Sequence, residues 1–215
     1  EAAVDRDVVA ALAGRLGVGF VTRRLEVCGG EHPRGEGLEA RARRLRYRFF
    51  AEAARETGSR HVAVAHTADD QAETILHRIM RGTGPAGMAG MAAARQLCEG
   101  IALIRPLLVI RRQRVRDWLL ANGQRWCEDV TNRDTRHARN FLRHEIIRRC
   151  EEGPYPAAPA ALRRLGEQVG ALSAALASAA DSLLEQHATR LPAGTLAIDA
   201  AALASLDRHL VAEVM

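Results

Sequence analysis

The chain has no lysine, few aromatic residues and no long apolar segment. All 31 basic residues among the 215 are arginine, and aromatic residues make up 4%, so the core must be built from Ala, Val, Leu and Ile. No apolar run approaches the length of a membrane-spanning helix, and the first residues show no signal-peptide pattern. We therefore expect a cytoplasmic protein without a membrane partner.

The four cysteines are far apart and form no CxxC pair. They stand at Cys28, Cys98, Cys127 and Cys150. This spacing argues against a zinc ribbon and supplies no disulfide framework. We predict no metal site from these cysteines.

The net positive charge of the chain lies in its first 150 residues. Residues 1–150 hold 27 arginines against 18 acidic residues, a net charge of +9, whereas residues 151–215 hold 4 against 8, a net charge of −4. A basic segment attracts anions, so nucleic acid or a nucleotide is the expected partner. The alternative is a GC-rich coding bias that makes arginine the available cation.

Apolar periodicity alternates between helix and strand. The predicted helices cover residues 4–16, 38–53 (ending near Gly58), 69–81, 115–121 and 136–150, and the predicted strands cover 19–27, 61–65 and 101–108, with residues 82–100 irregular. The alternation predicts an α/β fold with a doubly wound, mainly parallel sheet. The strand at 61–65 is almost continuously apolar, and we expect it to be buried.

A proline-rich segment, Gly153–Pro156, marks the best domain boundary. We predict one domain over residues 1–152 and a small helical domain over 153–215. The second is rich in Ala and Leu, is acidic, and ends in a predicted helix over 203–215.

The strongest local motif is A-H-x-x-D-D-Q-x-E-T at residues 65–74, where the predicted buried strand ends. Ligands bind at that edge of open α/β sheets. Thr67 is a candidate N-cap, with Asp70 three residues later as in a capping box. Asp70 and Glu73 share one helix face. Acids that merely complement the helix dipole are the structural alternative.

Other blocks are weaker taken singly. In chain order they are E-A-x-A-R-x-x-R-Y at 39–47, R-G-T-G at 81–84 with M-x-G-M at 88–91, R-P-L-L at 105–108, W-x-E-D-x-x-N-x-D at 126–134 and R-N-x-x-R-H at 139–144. A solvated basic face, a helix exit and a salt-bridged surface helix would explain the first, second and last of them. Their order is more specific than any one block.

Together with the motif at 65–74, these blocks closely resemble the tRNA(Ile)-lysidine synthases of the PP-loop ATP pyrophosphatase superfamily. The resemblance implies a PP-loop catalytic domain over 1–152 and a helical tRNA-binding extension over 153–215. The family's Ser-Gly-Gly-x-Asp-Ser loop, which grips the pyrophosphate of ATP, does not occur in the 215 residues. We expect the sequence to lack the segment that carries it.

The resemblance also implies a reaction and its participants. ATP, with Mg²⁺, would adenylate the wobble cytidine of tRNA(Ile) with a CAU anticodon, and L-lysine would then attack C2. The implied catalytic residues are Asp70, Glu73 and Arg139. ATP binding is implied for Arg43, Arg46, His66 and Gly82, and tRNA binding for Arg81, Arg111 and Arg143; no residue is predicted to bind a metal.

Two alternatives remain open. One is a tRNA cytidine thiolase of the same superfamily, although that chemistry uses cysteines and the cysteines here lack paired spacing. The other is a non-catalytic RNA-binding fragment. The sequence does not determine the oligomeric state, and a homodimer is kept as one alternative.

Overall fold

The computed structural model describes residues 2–28, 35–127, 134–191 and 196–198. The chain forms two compact units, the first from residues 1–71 and 91–149 and the second from 72–90 and 150–215. The helices are α1 (Ala2–Leu16), α2 (Leu38–Glu56), α3 (Ala68–Met80), α4 (Pro85–Met88), α5 (Arg112–Ala121), α6 (Ala138–Phe141), a π-helical segment (Leu142–Ile147), α7 (Arg148–Glu152) and α8 (Ala158–His187). The strands are β1 (His61–Ala63), β2 (Ala94–Cys98), β3 (Ile101–Ile104), β4 (Ala188–Arg190) and β5 (Leu196–Ile198).

The first unit is built on a three-stranded sheet with the order β1-β3-β2. Strands β1 and β3 are parallel, with Val62 opposite Leu103, which agrees with the predicted parallel sheet. Strand β2 pairs antiparallel with β3, through a turn in which Gly100 has a φ of 72°. This strand lies in the segment predicted to be irregular, so that prediction is wrong. The letters of β2 lack an alternating pattern, and its pairing with β3 decides its structure.

The predicted strand at 19–27 is also wrong. Residues 19–27 have no strand structure. Arg23 instead holds this segment against α2, through ion pairs with Glu52 and Glu56 and a guanidinium contact 5.4 Å from the centre of the Phe49 ring. Side-chain contacts with a helix replace the ladder that a strand would require.

Strand β1 is shorter and more exposed than predicted. It covers three residues, of which His61 and Ala63 are exposed and Val62 is half-buried. The reason is its position at the edge of the described sheet, where it pairs with β3 on one side. The expectation of a buried strand is therefore incorrect within the described residues.

Helix α2 covers the predicted helical segment. Leu45, Ala51 and Ala54 are buried, but Leu45 and Ala54 lie on opposite sides of the helix, and Leu38 is 62% exposed, so the burial does not follow a single apolar face. The helix ends where predicted, because the Thr57 hydroxyl donates to the Ala53 carbonyl at 2.9 Å and Gly58 adopts a φ of 65°, the left-handed conformation typical after a helix.

In the second unit, α8 packs closely on α4 and its flanking residues. A Cβ at Gly166 would lie 2.6 Å from Ile75 Cδ1 and 3.1 Å from the Met88 carbonyl oxygen, so glycine allows this close approach without displacing either neighbour. Strands β4 and β5 form an antiparallel pair after α8, within a region predicted to be mostly helical. The predicted helix over 203–215 lies outside the described residues.

No helix among the described residues has both the length and the apolar character needed to cross a membrane.

Candidate functional site

Three segments of the first unit meet at the same edge of its sheet. Strands β1 and β3 are parallel, so His66 and Arg105, which follow them, lie at their carboxyl-terminal edge. Strand β2 runs the other way, and its first residue, Ala94, pairs with Ile104. Arg95 is therefore brought to this edge as well. This is the edge where ligands bind in open α/β sheets.

Asp70 closes the first turn of α3. Its Oδ2 accepts hydrogen bonds from the Thr67 N–H and the Thr67 hydroxyl, both at 2.7 Å, while the Asp70 N–H lies 3.4 Å from Thr67 Oγ1. These reciprocal contacts form the capping box expected from the sequence, with Asp in the place usually taken by Glu. One oxygen of this carboxylate is thus engaged in building the helix.

The other oxygen of Asp70 gathers three arginines from two later parts of the chain. Asp70 Oδ1 lies 3.1 Å from Arg112 Nη2, 3.2 Å from Arg139 Nη2 and 3.6 Å from Arg143 Nη2. The Asp70 side chain is 16% exposed. The structure therefore brings together three of the predicted site residues, Asp70, Arg139 and Arg143, around one carboxylate.

The surroundings of Asp70 favour its charged form. Burial raises the pKa of Asp70, but the hydrogen bonds from Thr67 and the charges of Arg112 and Arg139 lower it more, so the pKa lies below its ordinary value. This carboxylate is a weak proton acceptor. It remains negatively charged and can bind cationic groups.

Asp69 connects the same helix to α5. Its Oδ2 accepts the backbone N–H of Arg112 at 2.7 Å, and its Oδ1 lies 3.1 Å from Arg111 Nε. The N–H groups at the start of a helix lack intrahelical partners, so Asp69 caps α5 from outside that helix. This contact fixes the position of Arg111, a predicted tRNA ligand.

The block at 126–134 reaches the arginine helices through its last residue. Asn140 Nδ2 donates to the Asp134 carbonyl at 3.0 Å. Hydrogen bonds from Arg136 lower the pKa of the Asp134 carboxyl to about 2. The other motif acids, Glu128 and Asp129, and Asn132 lie outside the described residues.

Helix α3 continues into the second unit, where Glu73 lies. Glu73 follows Asp70 by three residues, so both leave the helix on one face. Its side chain is only 2% exposed. The sequence predicted the shared face, whereas the depth of Glu73 was visible only in the structure.

A second group of arginines surrounds Tyr47 on α2. Arg43 Nη2 donates to the Tyr47 hydroxyl at 3.1 Å, and the guanidinium carbons of Arg43 and Arg95 lie 4.9 and 5.0 Å from the centre of the ring. Arg105 is 5% exposed, hydrogen-bonds to Tyr47, and donates from Nη1 to the Ala92 carbonyl at 2.6 Å. Sequence reasoning assigned a role only to Arg43 in this group.

His66 lies in the field of both arginine groups. Burial lowers the pKa of His66, and the charges of Arg105, Arg139 and Arg43 lower it further, against a partial opposing effect of Asp70. His66 Nδ1 is buried without a hydrogen-bond partner in the described part of the chain. The imidazole is therefore held neutral at physiological pH.

The remaining predicted residues stand apart from these contacts. Arg46 is exposed on α2. Arg81 and Gly82 belong to the second unit, where they end α3: the Gly82 N–H donates to the Ile79 carbonyl at 3.0 Å, and Gly82 has a φ of 72°. The R-G-T-G segment thus works as a helix exit, and its predicted ligand contacts stay predictions.

Several contributors to these clusters were missed from the sequence. Arg95 was missed because strand β2 was not predicted. Arg112 was missed because no sequence pattern distinguishes it from its neighbour Arg111. Arg105 belongs to the R-P-L-L block, whose position directly after a strand could have indicated a site residue.

Comparison with known proteins gives a consistent result. The PP-loop domain family matches residues 1–150. The chain is 49% identical over 128 residues to tRNA(Ile)-lysidine synthase of Rhodopirellula baltica, covering 60% of this chain and 32% of that protein. It is 45% identical over 167 residues to the Thermus thermophilus protein of the same name, covering 78% and 31%. For the Methylobacterium nodulans protein, also so named, the identity is 40% over 217 residues, covering 100% and 61%.

The chain spans 31% to 61% of the length of these relatives. Among solved structures, it is similar to the U34-tRNA thiolase NcsA from Methanococcus maripaludis, solved with its 4Fe–4S cluster. The TM-score is 0.57 at 13% identity, and the match covers 77% of this chain and 55% of that one. At that identity the likeness concerns the fold alone, and it confirms the predicted α/β class.

The chain therefore belongs to the PP-loop family, and within that family it is similar to the tRNA(Ile)-lysidine synthases, as its ordered motifs predicted.

Proposed function

We propose that the protein containing this chain is a tRNA(Ile)-lysidine synthase, a ligase that forms a carbon–nitrogen bond. Its substrates are ATP, L-lysine and tRNA(Ile) with a CAU anticodon, and it acts in the cytoplasm. The observation that carries the proposal is the contact of Asp70, in the motif at 65–74, with Arg139 of the motif at 139–144. Two blocks 69 residues apart in sequence meet at one carboxylate.

The reaction has two steps. First, O2 of the wobble cytidine attacks the α-phosphate of ATP, and pyrophosphate leaves. Second, the lysine Nε attacks C2, the bond between C2 and O2 breaks, and AMP departs with that oxygen. The first step develops negative charge that guanidinium groups stabilise, and the second needs a neutral amine.

Lysine recognition is proposed for Asp70, Glu73 and Arg139. Carboxylates are natural partners for the lysine ammonium, and Arg139 is suited either to the lysine carboxylate or to a tRNA phosphate. Because its pKa is lowered, Asp70 is a weak proton acceptor, and we assign to it the binding of the positively charged lysine ammonium.

Phosphate groups are proposed to bind to the arginines. Arg43, Arg46, His66 and Gly82 are assigned to ATP, and Arg81, Arg111 and Arg143 to tRNA. For Mg²⁺, the described residues supply no group of three His, Cys, Asp or Glu side chains that could hold a metal, and Asp69 and Asp70 are engaged by arginines. No described residue is therefore assigned to Mg²⁺.

Residues 153–215 are proposed to form the helical extension that contributes to tRNA binding, after a catalytic domain over 1–152. The net charge of −4 after Cys150 disfavours direct contact with phosphates. Recognition of tRNA shape, or a packing role, is what we propose for it. A homodimer is an alternative that light scattering of the purified protein would test.

The test of the lysine site uses Asp70→Asn and Glu73→Gln in the full-length protein. We expect each to reduce incorporation of labelled lysine far more than it reduces tRNA binding measured on filters. Glu145→Gln, which breaks an exposed pair with Arg149 at 2.7 Å, is the matched control and should change neither. Equal loss of incorporation and binding in the two site variants would contradict the assignment.

The alternatives give different results in the same preparation. A thiolase would contain iron when purified anaerobically, and it would not incorporate lysine. A non-catalytic RNA-binding protein would bind tRNA but release no pyrophosphate from ATP.

A further inference from the structure

The arginines near the sheet edge fall into two groups that differ in their partners. In the first, Arg112, Arg139 and Arg143 meet the carboxylate of Asp70. The second group consists of Arg43, Arg95 and Arg105 around Tyr47, and we call it the Tyr47 cluster. Its polar contacts are the Tyr47 hydroxyl and backbone carbonyls.

No carboxylate of the described residues forms an ion pair with a member of the Tyr47 cluster. Arg105 is nevertheless nine-tenths buried, and its Nε has no hydrogen-bond partner in the described part of the chain. Leaving a buried polar group without a hydrogen-bond partner destabilises the folded state, and the mutual repulsion of three guanidinium groups adds to that cost. A bound anion would remove both costs.

The fold gathers this cluster from three separate elements. Arg43 and Tyr47 are one turn apart on α2, Arg95 is the second residue of β2, and Arg105 directly follows β3. The antiparallel register places Arg95 opposite Leu103, two residues before Arg105. All three arginines therefore belong to the first unit, at the carboxyl-terminal edge of the strands β1 and β3.

The Tyr47 cluster combines one buried arginine with two exposed ones. Arg105 is buried, whereas Arg43 and Arg95 are exposed. Contact with the Tyr47 ring restricts both exposed guanidinium groups. Guanidinium groups that are held in place can donate paired N–H groups to phosphate oxygens.

We infer that Arg43, Arg95 and Arg105, arranged around Tyr47, form a phosphate-binding site. The phosphate belongs either to the tRNA backbone or to ATP, and the two sources offer the same chemistry to the arginines. This inference rests on the proposed function for the identity of its ligands. It adds Arg95, Arg105 and Tyr47 to the residues that contact substrate.

Arg95→Ala is the primary test, because Arg95 is exposed and its replacement leaves the core intact. The full-length protein is titrated with a tRNA(Ile) transcript over a range of salt concentrations, and separately with ATP, both without lysine. A tRNA phosphate at this site predicts that the slope of log K against log salt falls by about 0.7–0.9, because one guanidinium no longer neutralises a phosphate. An ATP phosphate predicts instead an unchanged slope and about a tenfold weaker affinity for ATP, the equivalent of about 1.4 kcal/mol.

Arg60→Ala is the matched control. Arg60 is an exposed arginine directly before β1, at the opposite edge of the sheet, so its replacement should change neither measurement. Tyr47→Phe keeps the ring but removes the hydroxyl that Arg43 and Arg105 contact, and it should produce a smaller change of the same kind as Arg95→Ala. Circular dichroism checks that each variant is folded.

The inference is overturned if Arg95→Ala and Arg43→Ala both match Arg60→Ala in tRNA and ATP binding. Because these measurements require no turnover, they are separate from the proposed reaction. Normal phosphate binding without lysine incorporation in the wild-type protein would contradict the proposed function and leave the phosphate site standing.

Discussion

Replacing Asp70 with Asn should destabilise the first unit more than its partly exposed position suggests. The substitution removes the negative charge that faces Arg112, Arg139 and Arg143 at 3.1, 3.2 and 3.6 Å. It keeps an oxygen that can accept the Thr67 hydrogen bonds. The perturbation therefore acts mainly on the ion pairs and less on the helix cap.

The magnitude follows from the burial of the pairs. Exposed ion pairs contribute about 0.2–1 kcal/mol, whereas removing one partner of a buried pair costs about 3–5 kcal/mol. The Asp70 side chain is 16% exposed and its arginine partners are 22–38% exposed, which places this network between those limits. We expect Asp70→Asn to lower the free energy of unfolding by about 2–4 kcal/mol at pH 7.

Urea unfolding followed by tryptophan fluorescence measures this effect. Both tryptophans, Trp118 and Trp126, belong to the first unit, as does Asp70. Asp117→Asn, whose carboxylate accepts an exposed hydrogen bond from Gln113 at 2.8 Å, is the control and should cost less than about 0.5 kcal/mol.

The effect should also depend on pH in a defined direction. Since the pKa of Asp70 is lowered in the folded protein, its contribution is fully present above its unfolded value of about 3.9 and is lost as the pH falls through the folded pKa. The difference between wild type and variant should thus shrink in acid. A difference below about 0.5 kcal/mol at pH 7 would refute the argument that this carboxylate holds the arginines together.

Three further outcomes are expected. Arg139→Ala and Arg143→Ala should each reduce the salt slope of tRNA binding by about one unit if they contact phosphates; an unchanged slope would indicate a structural helix. Gly166→Ala should destabilise the protein by about 1–3 kcal/mol, because the added Cβ would meet Ile75 and Met88, whereas Gly14→Ala in open space on α1 should not destabilise it. His66→Gln should flatten the stability profile between pH 7 and 5: the lowered pKa of His66 means that the unfolded chain binds the proton first, so wild-type stability falls as the pH drops below about 6.5. A variant with the wild-type profile would exclude His66 as the cause.

Helices were predicted more reliably than strands. The extent of α2 and the capping box of α3 follow from local residue spacing, because a helix satisfies its backbone hydrogen bonds within the segment itself. A strand was predicted at 19–27, where none forms, and the strand at 94–98 was not predicted. Strand formation depends on hydrogen bonds to a neighbouring strand, which local sequence does not show. Residues 19–27 contact α2 through the ion pair of Arg23 with Glu56, whereas β2 pairs with β3 across a two-residue turn.

The sequence by itself determined the family, the edge of the sheet where the candidate site lies, and the shared face of Asp70 and Glu73. These follow from residue order and helical period, which need no knowledge of distant contacts. Only the tertiary structure decided that three arginines converge on Asp70, that Glu73 is buried, and that Arg95 and Arg105 join Arg43 at Tyr47. The physical reason is that burial and the pairing of charges depend on which segments meet in space, and in a chain with 31 arginines the spacing of residues cannot tell which of them will meet.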